Sequence, residues 1–519
     1  MFDQLYLQLN PELRLDQQFA TAAVVSAVAL GVAGDLLFRG AGFGISVALW
    51  SGLLTLGIFA VSRAGAREWP AGRASLLILA TLLTAAAGLR ASPVLQLLNV
   101  GGAAALFGIA VALPPGLGVR RLGFVVFVLA IGLAVFAVVL GALRFLPSQG
   151  AMAKMSERFG PRVSLAGRTA ALATPLLLLF GGLFVAADAV FESLAIGLLR
   201  IDFKEAAGHL TWAVAFSWIS LGAIWSNLAM ERYEFSELTL ADEKKLRSVE
   251  VGSILGALAV LFGAFVIVQV RYLFGGHELV ERTLGLTYAD YARRGFFELV
   301  AVAALLLPVL LVMEWARRRS KGSDRTYRIL ALALVGLLFV VMLSAAERLR
   351  IYQATYGLTE LRLYSLAFLA LLASIFAWFL ATVLRGQGAV FLTGGIALTG
   401  LAIVGLTVWN PDSFIARVNI DRGAEGESFD AEYLTSLSAD AVPAIVSRFD
   451  SIPVADRCLV GRRLIEVWVG RDESWRSWNL GRSRATRIVE GEQDRLEAAC
   501  GRQGMGWLPR AGALRLAAS

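Results

Sequence analysis

Histidine and cysteine are nearly missing from this chain: of 519 residues, 2 are His (His209 and His277) and 2 are Cys (Cys458 and Cys500). Zinc sites need clustered Cys, His and carboxylate ligands, and haem or iron–sulfur centres draw on the same scarce side chains. No metal site and no cofactor is expected. Charge is also sparse, 17% of the chain, where a soluble domain carries about a quarter. No P-loop, Gly-x-Ser-x-Gly, His-Glu-x-x-His or Cys-x-x-Cys spacing occurs, so no catalytic residue is assigned. The net charge of +8 is scattered over short loops and forms no basic arm, which argues against a nucleic-acid partner. The first eighteen residues, MFDQLYLQLNPELRLDQQ, have no basic start or myristoylation pattern, so the first apolar run is expected to serve as the insertion signal.

Hydrophobic residues, by contrast, make up 57% of the chain. They are gathered into runs near 17–38, 41–61, 73–91, 94–112, 122–142, 169–199, 209–229, 249–272, 295–315, 327–346, 361–384 and 389–408. Most are close to the roughly twenty residues an α-helix needs to cross about 30 Å of hydrocarbon. The expected fold is all-α: a polytopic membrane protein of about twelve transmembrane helices over 1–409, with a small soluble helical module over 410–519. Arg39-Gly40 divides the first two runs and Arg90 to Pro93 the third and fourth, as tight hairpins or bent re-entrant elements. In the tail, Tyr433, Leu434, Leu437, Ala441 and Ile445 suit an amphipathic helix interrupted at Pro443. Further helices are expected near 454–469 and 483–500. Trp468, Trp475, Trp478 and Trp507 are assigned to the module core, with the headgroup layer as the competing place.

Basic residues mark the cytoplasmic side of membrane proteins. Loops 143–168, 231–248 and 315–328 hold four of the five lysines, Lys154, Lys244, Lys245 and Lys321. The expected location is the cell's inner (plasma) membrane with the module outside the cytoplasm, although Arg63, Arg67, Arg73, Arg120 and Arg121 would also face out. A disulfide between Cys458 and Cys500 would suit that compartment; two buried thiols are the alternative.

Ionisable groups inside spans are costly and mark polar sites. Asp188 and Glu192, four residues apart on one helical face, are the leading intramembrane pair, followed by Asn227 and Glu298. Simple hydration beyond the hydrocarbon is the competing reading for the pair, and Asp35 is expected to meet Arg39 one turn on. Two loops share wording, ERTLGLTYADY at 281–291 and ERLRIYQATYGLTELRLY at 347–364. Each Gly is expected to end a helix and each Thr to cap the next. Arg282, Thr287, Glu347, Arg348, Arg350, Tyr356, Gly357, Thr359 and Arg362 are the interfacial candidates. They either line a vestibule for an anionic group or anchor at the headgroups.

The phrases PLLLLFGGLFVAADAVFESL, ERLRIYQATYGLTELRLYSLAFLALLA and YLTSLSADAVPAIV resemble the bacterial membrane family "domain of unknown function four-one-seven-three" over roughly 120–480. The resemblance implies an integral membrane protein without an established activity and supplies no catalytic residues. The leading functional expectation is a non-catalytic envelope or signalling scaffold, in a lipid bilayer, whose tail binds a protein partner. Cation- or proton-linked transport through Asp188 and Glu192 is the alternative, with an enzyme acting on a lipid-linked substrate behind both.

Overall fold

A computed structural model describes residues 17–40, 42, 44–64, 71–112, 132, 138, 203–230, 248–274, 296–320, 324–471 and 474–500. All regular structure among these residues is helical. Helices α1 (Gln17–Phe38) and α2 (Ile45–Ala64) are joined by the 39–44 turn, and α3 (Ala71–Ala87) and α4 (Pro93–Ala112) by the 88–92 turn. Both divided run pairs are thus hairpins of whole helices. They are followed by α5 (Phe203–Met230), α6 (Ser248–Phe274), α7 (Phe296–Ser320), α8 (Asp324–Tyr356), α9 (Glu360–Thr382) and α10 (Gly388–Trp409).

Among the described residues, seven helices are long and apolar enough to cross a membrane: Ile45–Arg63, Pro93–Val111, Val249–Val268, Glu298–Ala316, Arg325–Tyr356, Glu360–Thr382 and Val390–Trp409. Ala22–Phe38 and Gly72–Ala87 are shorter apolar helices. The chain is therefore a multi-pass α-helical membrane protein. The count of about twelve is not reached among the described residues. Runs 122–142 and 169–199 lie outside them, and α5, which begins Phe-Lys-Glu and contains His209, falls short of the apolar standard of a span. Large side chains face outward along the spans, Val260 and Ile267 at 74% exposure, as expected where the surrounding solvent is lipid.

Three sets of helices share cores. Leu255, Leu310, Leu334, Leu338, Phe376 and Phe379 pack α6 to α9 together. Ala27, Ile58 and Ile224 join α1, α2 and α5, while Leu83, Leu106, Leu392 and Ile403 join α3, α4 and α10.

Beyond Trp409 come α11 (Pro411–Ala424), α12 (Ala431–Ser436), α13 (Val442–Ser447), α14 (Val454–Trp468), α15 (Leu480–Gly491) and α16 (Gln493–Ala498). The single helix expected around Pro443 is two short ones. Proline has no N–H and fixes φ, so it starts α13 at its first turn instead of continuing α12. α11 was not expected from the tail pattern at all. Its core residues Ile415, Ala416 and Ile420 join Leu434, Ile445, Phe449, Val460 and Leu464 in a cluster that also takes in Leu358 of the turn before α9 and Leu363 of α9. One apolar cluster therefore holds residues from both sides of residue 409.

Candidate functional site

The C-terminal helices close over one end of the bundle. Four places meet them there: the 39–44 turn, the 88–92 turn, the Gly357 turn and the end of α10. Asp324, the first residue of the 33-residue α8, is about 50 Å from the Gly357 turn at 1.5 Å per residue. The start of α8 and the C-terminal helices thus occupy opposite ends.

Asp440 is the centre of the contact. It is 3% exposed, and its Oδ2 accepts from the backbone N–H of Ala91 (2.6 Å) and of Ser92 (3.0 Å). These are unsatisfied donors just ahead of α4, where a carboxylate also meets the positive end of the helix dipole. Arg90 sits beside it with Nη1 3.9 Å from Asp440 Oδ1. The same guanidinium donates from Nε to the Thr407 carbonyl (2.7 Å) and from Nη2 to that of Val408 (3.0 Å), closing the C-terminal end of α10. Gly481 permits the approach: a Cβ there would stand 2.4 Å from Asp440 Oδ1.

Asp412, in the first turn of α11, is fully buried. Ser438 Oγ donates to its Oδ2 at 2.5 Å and lies 3.5 Å from Asp440 Oδ2, so one hydroxyl stands between two carboxylates. Burial pushes the Asp412 carboxyl above the usual range, opposed first by the hydrogen bond from Ser438. Burial also raises Asp440, opposed by the Ser92 and Ala91 amides and by Arg90. The Tyr433 hydroxyl, which accepts from the Glu360 N–H at 2.8 Å, is pushed up to about 12, mainly by burial.

Amide side chains complete the dock. Asn479 is fully buried and donates to the carbonyls of Arg90 (2.8 Å) and Ala87 (3.3 Å), while its Oδ1 accepts from Arg482 N–H as the cap of α15. Asn410, with φ 61°, caps α11 by accepting from Ser413 N–H and donates to the Asp440 carbonyl. Asn419 pairs with the Leu358 peptide in both directions, accepting from its N–H (2.9 Å) and donating to its carbonyl (2.8 Å).

The 347–364 segment contributes to this dock. Glu347 to Tyr356 form the last turns of the continuous α8, not a separate short helix. Gly357 ends it at φ 76°, as its sequence position suggested, and Thr359 stands at the cap of α9 without a side-chain capping bond. Arg362 lies over the Tyr352 ring and donates to the Tyr356 and Gly357 carbonyls, closing the end of α8. Exposed Arg350 pairs with Glu347 at 3.6 Å, and Arg348 is buried. A Cβ at residue 357 would stand 3.0 Å from Asn419 Oδ1. Gly357→Ala is expected to destabilise the dock by about 1–2 kcal/mol through its left-handed backbone, seen as a lower thermal midpoint and faster exchange of the Leu358 amide.

Other candidates fall elsewhere. Asp188, Glu192, Arg282 and Thr287 lie outside the described residues. Asn227 is in the last turns of α5, and Glu298 is exposed in the first turn of α7. Asp35 meets His209 of α5, Oδ2 to Nδ1, and not Arg39 as its spacing suggested; helix packing supplied a nearer partner than the chain did. Cys458 and Cys500 are joined as a disulfide, bringing the start of α14 beside the end of α16. Among the described residues, no group of three His, Cys, Asp or Glu side chains is placed to hold a metal ion.

The junction residues Asp412, Asp440, Ser438 and Arg90 were not candidates from sequence. The available signals were local: Asn410-Pro411-Asp412 reads as a helix start, and Ser92-Pro93 as another. Neither shows that the two starts meet.

A family model described as a domain of unknown function (DUF4153) matches residues 77–447. The number differs from the four-one-seven-three of the sequence resemblance; the uncharacterised character is the same. No curated protein and no solved structure matches. The matched stretch contains Arg90, Glu360, Asp412, Ser438 and Asp440, while the disulfide and Asn479 lie beyond it.

Proposed function

The chain belongs to the DUF4153 family, a domain of unknown function, and from that premise we propose a non-catalytic membrane scaffold of signalling type. Residues 410–519 act as its partner-binding module, held on the bundle by the Asp440–Asp412 junction. The observation that supports this reading is the bonding of buried Asp440 to the start of α4, from a segment some 350 residues away. A module so fixed moves with the bundle, which suits a protein that relays a change between membrane and partner. The disulfide and the basic start of α8 at the opposite end favour an extracytoplasmic module. Cells carrying only residues 1–410 are expected to insert the chain normally and to behave as cells lacking the protein. Full function of that truncated chain would sink the reading.

The junction is also proton-sensitive. Asp412 and Asp440 bind protons more tightly folded than unfolded, since burial raises both. Stability then has a negative slope with pH over the interval in which the folded state holds more protons. The contribution is complete below the ordinary aspartate value of about 3.9 and declines as pH rises through the raised folded values. Acidification is therefore expected to tighten the dock. A pH series of thermal midpoints checks this; Asp412→Asn should flatten the profile, and a midpoint that rises over the same interval contradicts it.

A further inference from the structure

Trp468 is 7% exposed and belongs to the module core, as the sequence suggested, but Trp475 and Trp478 do not follow it. They are 64% and 40% exposed; Trp475 begins the 3-10 turn Trp475–Ser477 and Trp478 follows it. That turn is bonded to the ends of two membrane helices. The Trp478 carbonyl accepts at 3.0 Å from the N–H of Ile45, the first residue of a span. Arg476 Nη1 donates to the carbonyls of Leu36 (2.9 Å) and Arg39 (3.2 Å) where α1 ends. Both residues therefore stand beside the adjoining ends of α1 and α2.

Outward-facing apolar residues of the same helices lead up to them. Leu36 is 59% exposed and Leu49 40%, and Leu480, 40% exposed, is bonded through its N–H to the Gly88 carbonyl beside Leu89, 47% exposed. Exposed apolar residues of the membrane helices and two exposed indoles of the C-terminal segment thus occur at the same end of the bundle. An indole has an apolar body and one N–H donor, a combination that matches the boundary between acyl chains and headgroups.

We propose that the Trp475–Trp478 turn is a lipid-contacting surface of the C-terminal module, seated in the phospholipid headgroup layer beside α1 and α2. This is independent of the partner-binding reading above. It gives the module a second hold on its position: the buried junction fixes it to the bundle, and this edge fixes it to the bilayer.

The test uses the full chain in nanodiscs of phosphatidylcholine and phosphatidylglycerol. A nitroxide is attached at Trp475→Cys, with Cys458 and Cys500 left oxidised, and a control label is placed at exposed Arg487→Cys on α15. The label at 475 is expected to collide with oxygen and to be severalfold less accessible to a water-soluble nickel chelate than the control. Accessibility equal to the control overturns the proposal. So does shielding from both reagents, which would mean a protein contact. Quenching by brominated lipid gives a reading without new cysteines: wild type should lose a larger fraction of its tryptophan emission than Trp475→Phe/Trp478→Phe of unchanged helicity. Equal fractional losses overturn the proposal as well.

Discussion

Replacing Asp440 by alanine is expected to weaken the dock by about 3 kcal/mol, the order found when one partner of a buried charged contact is removed. The loss has three parts. The Ala91 and Ser92 amides lose their shared acceptor, Arg90 loses its neighbouring charge, and the space beside Gly481 is left unfilled. Since 1.4 kcal/mol is about a factor of ten, the Ala91 and Ser92 amides should exchange roughly a hundredfold faster. Asp440→Asn keeps an acceptor oxygen and has no charge to bury, so a smaller loss than in Asp440→Ala is expected. Unchanged exchange in Asp440→Ala would show that the carboxylate does not hold the two segments together. An equal loss in both variants would assign the effect to charge alone.

Breaking the Cys458–Cys500 link is expected to cost about 4 kcal/mol of stability in the C-terminal helices. The pair closes a loop with a sequence separation of 42, and a loop of that length gives this figure in the chain-entropy account, within a usual range of about 2–5 kcal/mol. The effect should be local. The link ties α14 to α16 directly, whereas α11 to α13, in the same apolar cluster, are also held by the junction of Asp412 and Asp440. Denaturant unfolding of the full chain in micelles, with and without reductant, checks the size. Hydrogen exchange should show α14 and α16 loosening first while the spans keep their protection. Cys458→Ser/Cys500→Ser should match the reduced wild type and lose all sensitivity to reductant. If reductant leaves α14 unchanged, the disulfide carries no stability. Alkylation of freshly lysed cells tests the compartment: an extracytoplasmic module should yield a pair that no thiol reagent reaches before reduction.

The two effects concern parts of the molecule that were unequally legible in the sequence. The spans were open to reading because lipid imposes one rule on every residue of a run, and length with hydropathy suffices. The breaks at 39–44 and 88–92 were visible between such runs, but they fitted a hairpin and a re-entrant element equally. Gly357 was also legible, since a helix end with positive φ calls for glycine. The tail was less so, because short helices such as Ala431–Ser436 and Val442–Ser447 are set by caps and a proline more than by a long period. α11 escaped because its apolar residues Ile415, Ala416 and Ile420 are interleaved with polar ones that dock on the membrane helices.

The junction was not legible for a different reason. Asp412 and Asp440 lie in segments that look hydrated, and nothing near them in sequence signals burial. Their environment is made by the 88–92 turn and α9, from far up the chain. Carboxylates inside apolar runs attracted attention because their cost is visible locally, whereas carboxylates buried by tertiary approach show no local cost. The reading of Arg362 as an anion receptor shows the same limit from the other side. Its guanidinium closes the end of α8 through the Tyr356 and Gly357 carbonyls, a use no single segment displays.

The central claim is that residues 411–500 are docked on the bundle end and not merely tethered to it. Six amides report on this directly: Ile45, Ala91, Ser92, Leu358, Glu360 and Leu480 all donate across the contact, to Trp478, Asp440, Asp440, Asn419, Tyr433 and Gly88 respectively. They lie in turns or at helix starts, where no bond within their own helix protects them. Hydrogen exchange of the full chain in lipid nanodiscs should find all six slowed together, by an amount that falls in Asp440→Ala. Exchange of these six at unprotected rates, with the helix interiors still protected, would contradict the docked arrangement.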